Sequence, residues 1–205
     1  MSLRILDHPL GAHLLTQLRD VETQPDRFRR HSHTLGILLA LEATKGLPVT
    51  MKDIQTPLED IEAPVLATRL AVVPILRAGL ALLEPVLEVF PQVAVGYVGL
   101  ERDHTTAKPS SYYKKLPDLT GKFCLCLDPM LATGGSACRA ISLMKAEGAE
   151  KIVMVCVVAA PEGVAVLQKE HPDVEIVTAS LDRELNSLKY ILPGLGDFGD
   201  RLYGT

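Results

Sequence analysis

The sequence predicts an α/β domain in which helices cover both faces of a mostly parallel sheet. Short, continuously apolar segments alternate with amphipathic segments of helical periodicity along most of the chain. The 205 residues are enough for one full core, and the 47% apolar and 22% charged shares are ordinary for a globular protein. We therefore expect one domain over residues 1–205, elaborated by an N-terminal arm (1–65) and a flexible hairpin or lid insertion (101–118).

The elements follow from the apolar pattern in chain order. Leu35, Leu38 and Leu39 recur at helical spacing before Gly46, which predicts a helix over residues 27–45. The prolines and alternating apolar residues of 48–64 predict short strands or an arm. Buried strands are predicted over residues 70–76, 93–100, 122–128, 151–160 and 174–181. The helices between them are predicted over residues 77–90, 136–147 and 161–171.

The polar insertion ERDHTTAKPSSYYKKLPD (101–118) is too long for a simple turn. Loops of this length in a compact domain are usually functional or disordered. We interpret it as a lid over a binding site.

Charge and hydropathy exclude several classes of function. The net charge of −4 argues against a broad nucleic-acid-binding surface. The longest apolar run, 152–160, is far shorter than the ~18 residues of a membrane span. The N-terminal stretch MSLRILDHPLGAHLL lacks the apolar run of a signal peptide, so a cytoplasmic location is expected.

The four cysteines fit a reducing compartment. Cys124 and Cys126 alternate along one predicted strand, a spacing unlike that of a Cys-x-x-Cys pair. Cys138 falls on a helix and Cys156 on another strand. Buried reduced thiols are favoured over metal or disulfide chemistry.

The segment DPMLATGGS (128–136) joins a strand to a helix through a glycine turn. Its glycines let backbone N–H groups approach an anion, and the helix N-terminus adds partial positive charge. A tight turn capped by Ser136 is the alternative. The segment spells neither G-x-x-x-x-G-K-[ST] nor G-x-G-x-x-G, so it is not one of the common nucleotide loops.

An acidic residue before the turn narrows the range of ligands that the segment can bind. Asp128 closes the strand about five residues before the phosphate cradle, where its carboxylate can bind sugar hydroxyls. A ribose phosphate fits that combination. Upstream, Arg77 stands among Leu76, Ala78 and Gly79, where a guanidinium suits an oxyanion better than a core. An arginine capping a strand end is the alternative there.

DPMLATGGS resembles the phosphoribosyl pyrophosphate loop of type I phosphoribosyltransferases. Its single acid followed by proline resembles the uracil phosphoribosyltransferases in particular. The resemblance covers essentially the whole chain, because further segments match the family in the same order. These segments are 8–10, 27–29, 41–44, 72–80, 158–182 and 190–205.

The resemblance assigns roles residue by residue. It implies that Arg77, Arg102 and Asp128 are catalytic. The residues implied to bind phosphoribosyl pyrophosphate are Arg77, Arg102, Asp128, Pro129, Met130, Leu131, Ala132, Thr133, Gly134, Gly135, Ser136 and Asp197. Those implied to bind uracil, mostly through the backbone, are Ile191, Gly196, Asp197 and Phe198.

The implied reaction transfers the phosphoribosyl group of 5-phosphoribosyl 1-pyrophosphate to uracil N1, giving UMP and pyrophosphate in pyrimidine salvage. The implied cofactor is Mg²⁺, held without direct protein ligands and reached by Asp197 through water. The family also implies a homodimer or larger homo-oligomer with the N-terminal arm as interface. GTP activates some members, and no residue here decides whether it acts on this chain.

Two departures and two alternatives accompany this interpretation. The insertion differs from the family's usual sequence around Arg102, and Phe198 stands where many relatives have alanine, so its ring either packs outward or narrows the pocket. The alternatives are the same chemistry on another base, and a non-catalytic regulator that binds RNA or a protein. The charged triplet 182–184 is predicted to be a surface turn, or else the edge of the site.

Overall fold

The computed structural model describes residues 3–102 and 109–205, with side chains for all of these except 101, 102 and 109–111. The helices are α1 (Pro9–Arg19), α2 (Pro25–Ala43), α3 (Leu80–Val89), α4 (Gly135–Ala146), α5 (Pro161–Glu170) and α6 (Phe198–Tyr203). The strands are β1 (Leu3–Ile5), β2 (Val49–Gln55), β3 (Asp60–Leu66), β4 (Arg69–Leu76), β5 (Ala94–Val95), β6 (Tyr97–Arg102), β7 (Pro109–Lys115), β8 (Lys122–Leu127), β9 (Met130–Leu131), β10 (Lys151–Ala159), β11 (Glu175–Leu181), β12 (Glu184–Leu185) and β13 (Ile191–Leu192).

The main sheet confirms the predicted mostly parallel α/β fold. Its strand order is β1-β11-β10-β8-β4-β6-β7, with β5 beside β4 and β9 beside β10. The pairing of β6 with β7 is antiparallel, and the other pairings of this sheet are parallel. Because helices connect the parallel strands, the strand carboxyl ends share one edge, where ligands of open α/β sheets bind.

Alternating residues of β10 divide the core into two layers. Val153, Val155 and Val157 pack in a cluster with side chains of α1, α2, α3 and α6. Ile152 and Met154 face the opposite cluster, formed with α4 and α5. Full burial of each such side chain stabilises the fold by about 1.5–3 kcal/mol, so the sheet is held from both faces.

The cysteines are confirmed as buried free thiols. Cys124, Cys126 and Cys156 lie in the cluster beneath α4 and α5. Burial raises the pKa of Cys124 to about 11 and that of Cys156 to about 12, which keeps both thiols protonated at neutral pH.

Several boundaries differ from the prediction. The lead before residue 27 contains α1, which was not predicted, and Pro25 starts α2 two residues early. The predicted strand 93–100 is two strands, β5 and β6. The hairpin expected at the insertion is confirmed, because β7 pairs antiparallel with β6; residues 103–108 lie outside the described part.

The expectation that residues 1–65 form an arm is wrong for most of that range, because β1 joins the main sheet and α1 and α2 pack in the core. The rest is an antiparallel hairpin of β2 and β3 in which nearly every residue is exposed. Elsewhere, the peptide bonds Leu76–Arg77 and Leu192–Pro193 are cis. Among the helices that the structure describes, none has the length and apolar character needed to cross a membrane.

Candidate active site

Two neighbouring strands place Arg77, predicted to bind an oxyanion, and Asp128, predicted to bind a sugar, at one edge of the sheet. In the parallel pairing of β4 with β8, Pro74 lies beside Leu127. Arg77 therefore follows one strand and Asp128 the other at the same carboxyl edge. The Asp128 backbone N–H donates to the Val155 carbonyl at 3.1 Å, which fixes this acid against β10.

Glycine is required where the phosphate loop enters α4. Gly134 has φ of 82°, in the left-handed region, and a Cβ there would lie 2.9 Å from the Gly163 carbonyl oxygen. Gly134 is the N-cap of α4 and no side chain caps this helix, so the interpretation of a turn capped by Ser136 is wrong. The N–H groups of the first turn are left for an anion at Thr133–Ser136.

The carboxyl group of Asp128 lies in a poorly solvated position at the base of this loop. Its Oδ1 accepts a hydrogen bond of 3.3 Å from the Met130 backbone N–H. Burial raises the pKa of Asp128 to about 7, and the Met130 hydrogen bond only partly opposes it. The group can therefore hold or release a proton near neutral pH.

Arg77 is exposed at the end of β4, so it does not act as a core residue. The close packing lies two residues further on, where a Cβ on Gly79 would lie 2.4 Å from the Leu127 carbonyl oxygen. The turn that carries Arg77 is thus pressed against the end of β8. Ala78 lines the same cleft as Asp128.

The C-terminal segment forms the other wall of the cleft. After β13, Gly194 and Gly196 both take positive φ, of 60° and 81°. Asp197 is the N-cap of α6, and its Oδ1 accepts from the Asp200 backbone N–H at 2.9 Å. The cleft between the two walls has a volume of about 420 Å³.

Seven of the predicted site residues line this cleft together: Asp128, Met130, Ala132, Ile191, Gly196, Asp197 and Phe198. Pro129 and Leu131 are buried, and their carbonyls already accept hydrogen bonds from β10 and the residue after it, so neither is brought into the cleft. The backbone of Arg102 ends β6 opposite Pro109, and its side chain lies outside the described part of the chain.

The Phe198 ring packs away from the cleft. It is 1% exposed and meets Phe28 edge-on, with ring centroids 5.0 Å apart. The ring therefore neither narrows the pocket nor packs outward, but packs into the core. Phe198 can still offer its backbone to a ligand.

Three consecutive residues of the cleft were not predicted. Leu188, Lys189 and Tyr190 line it from the turn between β12 and β13. Asn186 holds this turn, because its Oδ1 accepts from the N–H groups of Leu188 and Tyr190 at 2.9 Å each. The features that mark this turn are structural: Leu188 is 74% exposed and Lys189 has a positive φ. Neither feature can be read from the sequence.

The predicted surface turn at 182–184 is wrong for its first residue. Asp182 is 6% exposed, and its side chain lies beneath the loop that follows β13. The neighbouring charges of Arg183 and Glu184 made it resemble a surface residue, but it forms a partly buried ion pair with Arg19.

Within the described residues, Cys138, Glu170 and His171 offer ligand atoms that lie within 4.8 Å of one another. His171 Nε2 already lies 3.1 Å from the Cys138 carbonyl oxygen, which it can reach only as a donor. Burial raises the pKa of the Cys138 thiol to about 12, with Glu170 adding to the effect. These contacts account for the cluster as internal packing of α4 against α5.

Comparison with known proteins gives the family. The family model described as uracil phosphoribosyltransferase matches residues 5–205. A uracil phosphoribosyltransferase of Dictyoglomus thermophilum is 49% identical over 203 residues, covering 98% of both chains. One from Shouchella clausii is 49% identical over 206 residues, covering 100% of this chain and 99% of the other.

Solved structures agree on the fold. The AQ2163 protein from Aquifex aeolicus superposes with a TM-score of 0.94 at 38% identity, covering 100% of this chain and 99% of that one. A phosphoribosyltransferase from Corynebacterium diphtheriae, 17% identical, reaches a TM-score of 0.52 over 83% of this chain and 96% of its own. The motifs, the fold and the full-length relatives agree, and the chain belongs to the uracil phosphoribosyltransferase family.

Proposed function

We propose that this chain transfers the phosphoribosyl group of 5-phosphoribosyl 1-pyrophosphate to uracil N1, releasing pyrophosphate and forming UMP. The observation that carries the proposal is a single cleft in which Asp128 faces the backbone of Gly196–Phe198. The uncapped N-terminus of α4 follows directly on one wall. A ribose held at Asp128 would have its 5-phosphate at α4 and its anomeric carbon toward the Gly196 wall.

Backbone groups suit the recognition of uracil. Uracil presents two carbonyl acceptors flanking an N3–H donor, and rigid peptide groups can complement that pattern. The inward-packed Phe198 ring leaves the main chain of this wall toward the cleft. Cytosine would place a donor against a donor, and unpaired buried polar groups cost about 1–3 kcal/mol each.

The chemistry requires charge neutralisation and alignment more than a strong base. As pyrophosphate leaves, carbon 1 of the ribose develops positive character, and the leaving oxygens gain negative charge. We assign Arg77 and Arg102 to the pyrophosphate, where guanidinium groups bind oxyanions in pairs of hydrogen bonds. Asp128 would orient the ribose hydroxyls, and the insertion at 101–118 would exclude water.

Mg²⁺ is part of the proposal. The carboxylates of Asp128 and Asp197 line the same cleft, and hard oxygen donors with few protein ligands suit magnesium bound through substrate phosphates. Asp197 Oδ1 accepts a hydrogen bond from the Asp200 backbone N–H, and we assign Asp197 to the ion through water, as the family resemblance implies. The ion would neutralise charge on the leaving pyrophosphate.

The test is pyrophosphate release from purified protein with Mg²⁺, phosphoribosyl pyrophosphate and uracil. We expect uracil-dependent turnover that Asp128→Asn reduces by at least about tenfold. Asp173→Asn, in the exposed turn before β11 and away from both the cleft and the hairpin, is the matched control and should keep full turnover. Folded protein with no turnover would refute the enzyme function and favour a non-catalytic regulator. Full activity in Asp128→Asn would refute only the role of that acid.

We also propose a homo-oligomer built on the β2–β3 hairpin. This hairpin exposes a set of apolar side chains on a ribbon that packs mainly on itself: Val49, Met51, Ile54, Leu58, Ile61, Val65 and Leu66. Isolated two-stranded ribbons are marginally stable in water, so a second copy is the natural cover. Ile54→Asp with Ile61→Asp should lower the mass found by light scattering, and Val21→Asp, at an exposed site outside the hairpin, should not.

Two further expectations rest on the family resemblance and on the thiols. We propose GTP as an effector, tested by initial rates with and without GTP; an unchanged rate at saturating GTP would refute it. The four buried free thiols support the proposed cytoplasmic location, since that compartment keeps cysteines reduced.

A further inference from the structure

The loop that carries the base-binding wall depends on glycine. Gly194 has φ of 60°, and a Cβ there would lie 2.1 Å from the Ile191 carbonyl oxygen. Gly196 has φ of 81°. Glycine loses more backbone freedom on ordering than any other residue, so peptide groups here keep one orientation only if other groups restrain them.

An ion pair between Arg19 and Asp182 holds both the backbone N–H and the backbone carbonyl of Gly194. Arg19, the last residue of α1, donates from Nη1 to the Gly194 carbonyl at 2.7 Å and to Asp182 Oδ2 at 2.8 Å. The same Oδ2 accepts from the Gly194 N–H at 2.9 Å. Ser180 completes the group, donating from its hydroxyl to Asp182 Oδ1 at 2.7 Å.

The ion pair between Arg19 and Asp182 is largely shielded from solvent. The Asp182 side chain is 1% exposed and that of Arg19 is 24% exposed. Burial alone would raise the pKa of Asp182, but the hydrogen bonds from Arg19, Ser180 and Gly194 outweigh it and lower the pKa below its ordinary value. The carboxylate is therefore a fixed, ionised acceptor for the loop.

A second arginine restrains the next residue of the loop. Arg201 of α6 donates from Nη1 to the Leu195 carbonyl at 2.9 Å and also to the Leu18 carbonyl. Its Nη2 donates to the Asp20 carbonyl at 2.5 Å. The guanidinium lies over the Phe28 ring, 4.6 Å from the centroid, so the group is packed as well as bonded.

Both arginines thus tie successive loop carbonyls to the end of α1, immediately before the residues that line the cleft. We propose that Arg19 and Arg201 are positioning residues that orient the Gly196–Phe198 backbone for the base, an inference that rests on the uracil function proposed above. Neither residue lines the cleft, and both act through the loop.

The experiment compares two ligands that share one half of the site. UMP needs both walls of the cleft, whereas ribose 5-phosphate needs only the Asp128 and α4 wall. Calorimetry should show that Arg19→Lys and Arg201→Lys raise the Kd of UMP by at least about tenfold and leave that of ribose 5-phosphate within about twofold. Lysine keeps the charge but cannot satisfy the paired acceptors.

Steady-state kinetics give a second readout. In both variants the KM for uracil should rise more than the KM for phosphoribosyl pyrophosphate. Arg4→Lys is the matched control, because Arg4 also forms a partly buried ion pair, with Glu175 at the opposite end of β11. It should change neither Kd.

Folding is checked separately by thermal unfolding. Should Arg19→Lys not fold, Asp182→Asn and Arg201→Lys carry the same test, since each loosens one restraint on the loop. Unchanged UMP binding in folded variants, or equal weakening of both ligands, would overturn the inference. A wild-type chain that binds ribose 5-phosphate but not UMP would instead overturn the uracil function.

Discussion

The Gly163 carbonyl oxygen lies 2.9 Å from the point that a Cβ on Gly134 would occupy. This contact presses the start of α5 against the phosphate loop at the N-cap of α4. Two glycines therefore meet at the loop that we propose binds the 5-phosphate through its backbone N–H groups, since a Cβ on Gly163 would in turn lie 2.4 Å from the Ala132 carbonyl oxygen.

Gly134→Ala should reduce kcat/KM for phosphoribosyl pyrophosphate by at least about tenfold. The substitution adds left-handed strain of about 1–2 kcal/mol and a clash with fixed backbone. Gly46→Ala is the control, because a Cβ at Gly46 meets nothing within 4 Å. Wild-type kcat/KM in a folded Gly134→Ala protein would contradict the assignment of the loop.

Phe198→Ala should lower the free energy of unfolding by about 3–5 kcal/mol, because it leaves a cavity beside Phe28 in the core. Urea denaturation measures the change. Tyr203→Ala, at a residue that is 43% exposed on the same helix, should cost less than about 1 kcal/mol. Equal losses would mean that the Phe198 ring is not packed as described.

The free energy of unfolding of the ligand-free protein should depend on pH through Asp128. Its pKa is about 7 when folded and near 3.8 when unfolded, so the folded state binds the proton more tightly. The stabilisation that this proton gives the fold, up to about 4 kcal/mol, is fully present below pH 4. It is lost progressively as the pH rises toward 7 and above.

Asp128→Asn removes this titration. Its free energy of unfolding should exceed that of the wild type at pH 8, and the difference should shrink as the pH falls to 4. Parallel pH profiles for the two proteins would show that Asp128 is not held in a poorly solvated position.

Lys189→Gly should raise the free energy of unfolding by about 1 kcal/mol. Lys189 has φ of 67° in the turn held by Asn186, a region that costs residues with a Cβ about 1–2 kcal/mol. Lys189→Ala keeps the strain and should give no such gain. A gain in both variants would point to the lysine charge instead of the backbone.

Local patterns predicted the parts of the site that lie within one segment. DPMLATGGS carries its acid, its glycines and its helix start within nine residues, and the structure places Asp128 and the α4 N-terminus as expected. The family resemblance assigned the C-terminal wall, and the structure brings Ile191 and Gly196–Phe198 into the same cleft as Asp128. The role of Arg102 stays a prediction.

The missed features depend on contacts between distant segments. Asp182 resembles a surface residue in its charged triplet, yet its partner Arg19 lies 163 positions away. The α1 helix was missed because it is short and Gly11 lowers its helix propensity. Pro9 stands at its first position, where proline is well tolerated.

The most direct test offers the enzyme a choice of bases. An equimolar mixture of uracil, cytosine and hypoxanthine is incubated with phosphoribosyl pyrophosphate, Mg²⁺ and the protein, and mass spectrometry identifies the nucleotides formed. We predict UMP as the dominant product, at an excess of about a hundredfold or more over each alternative. A product other than UMP, or no preference among the bases, would contradict the proposed function of this cleft.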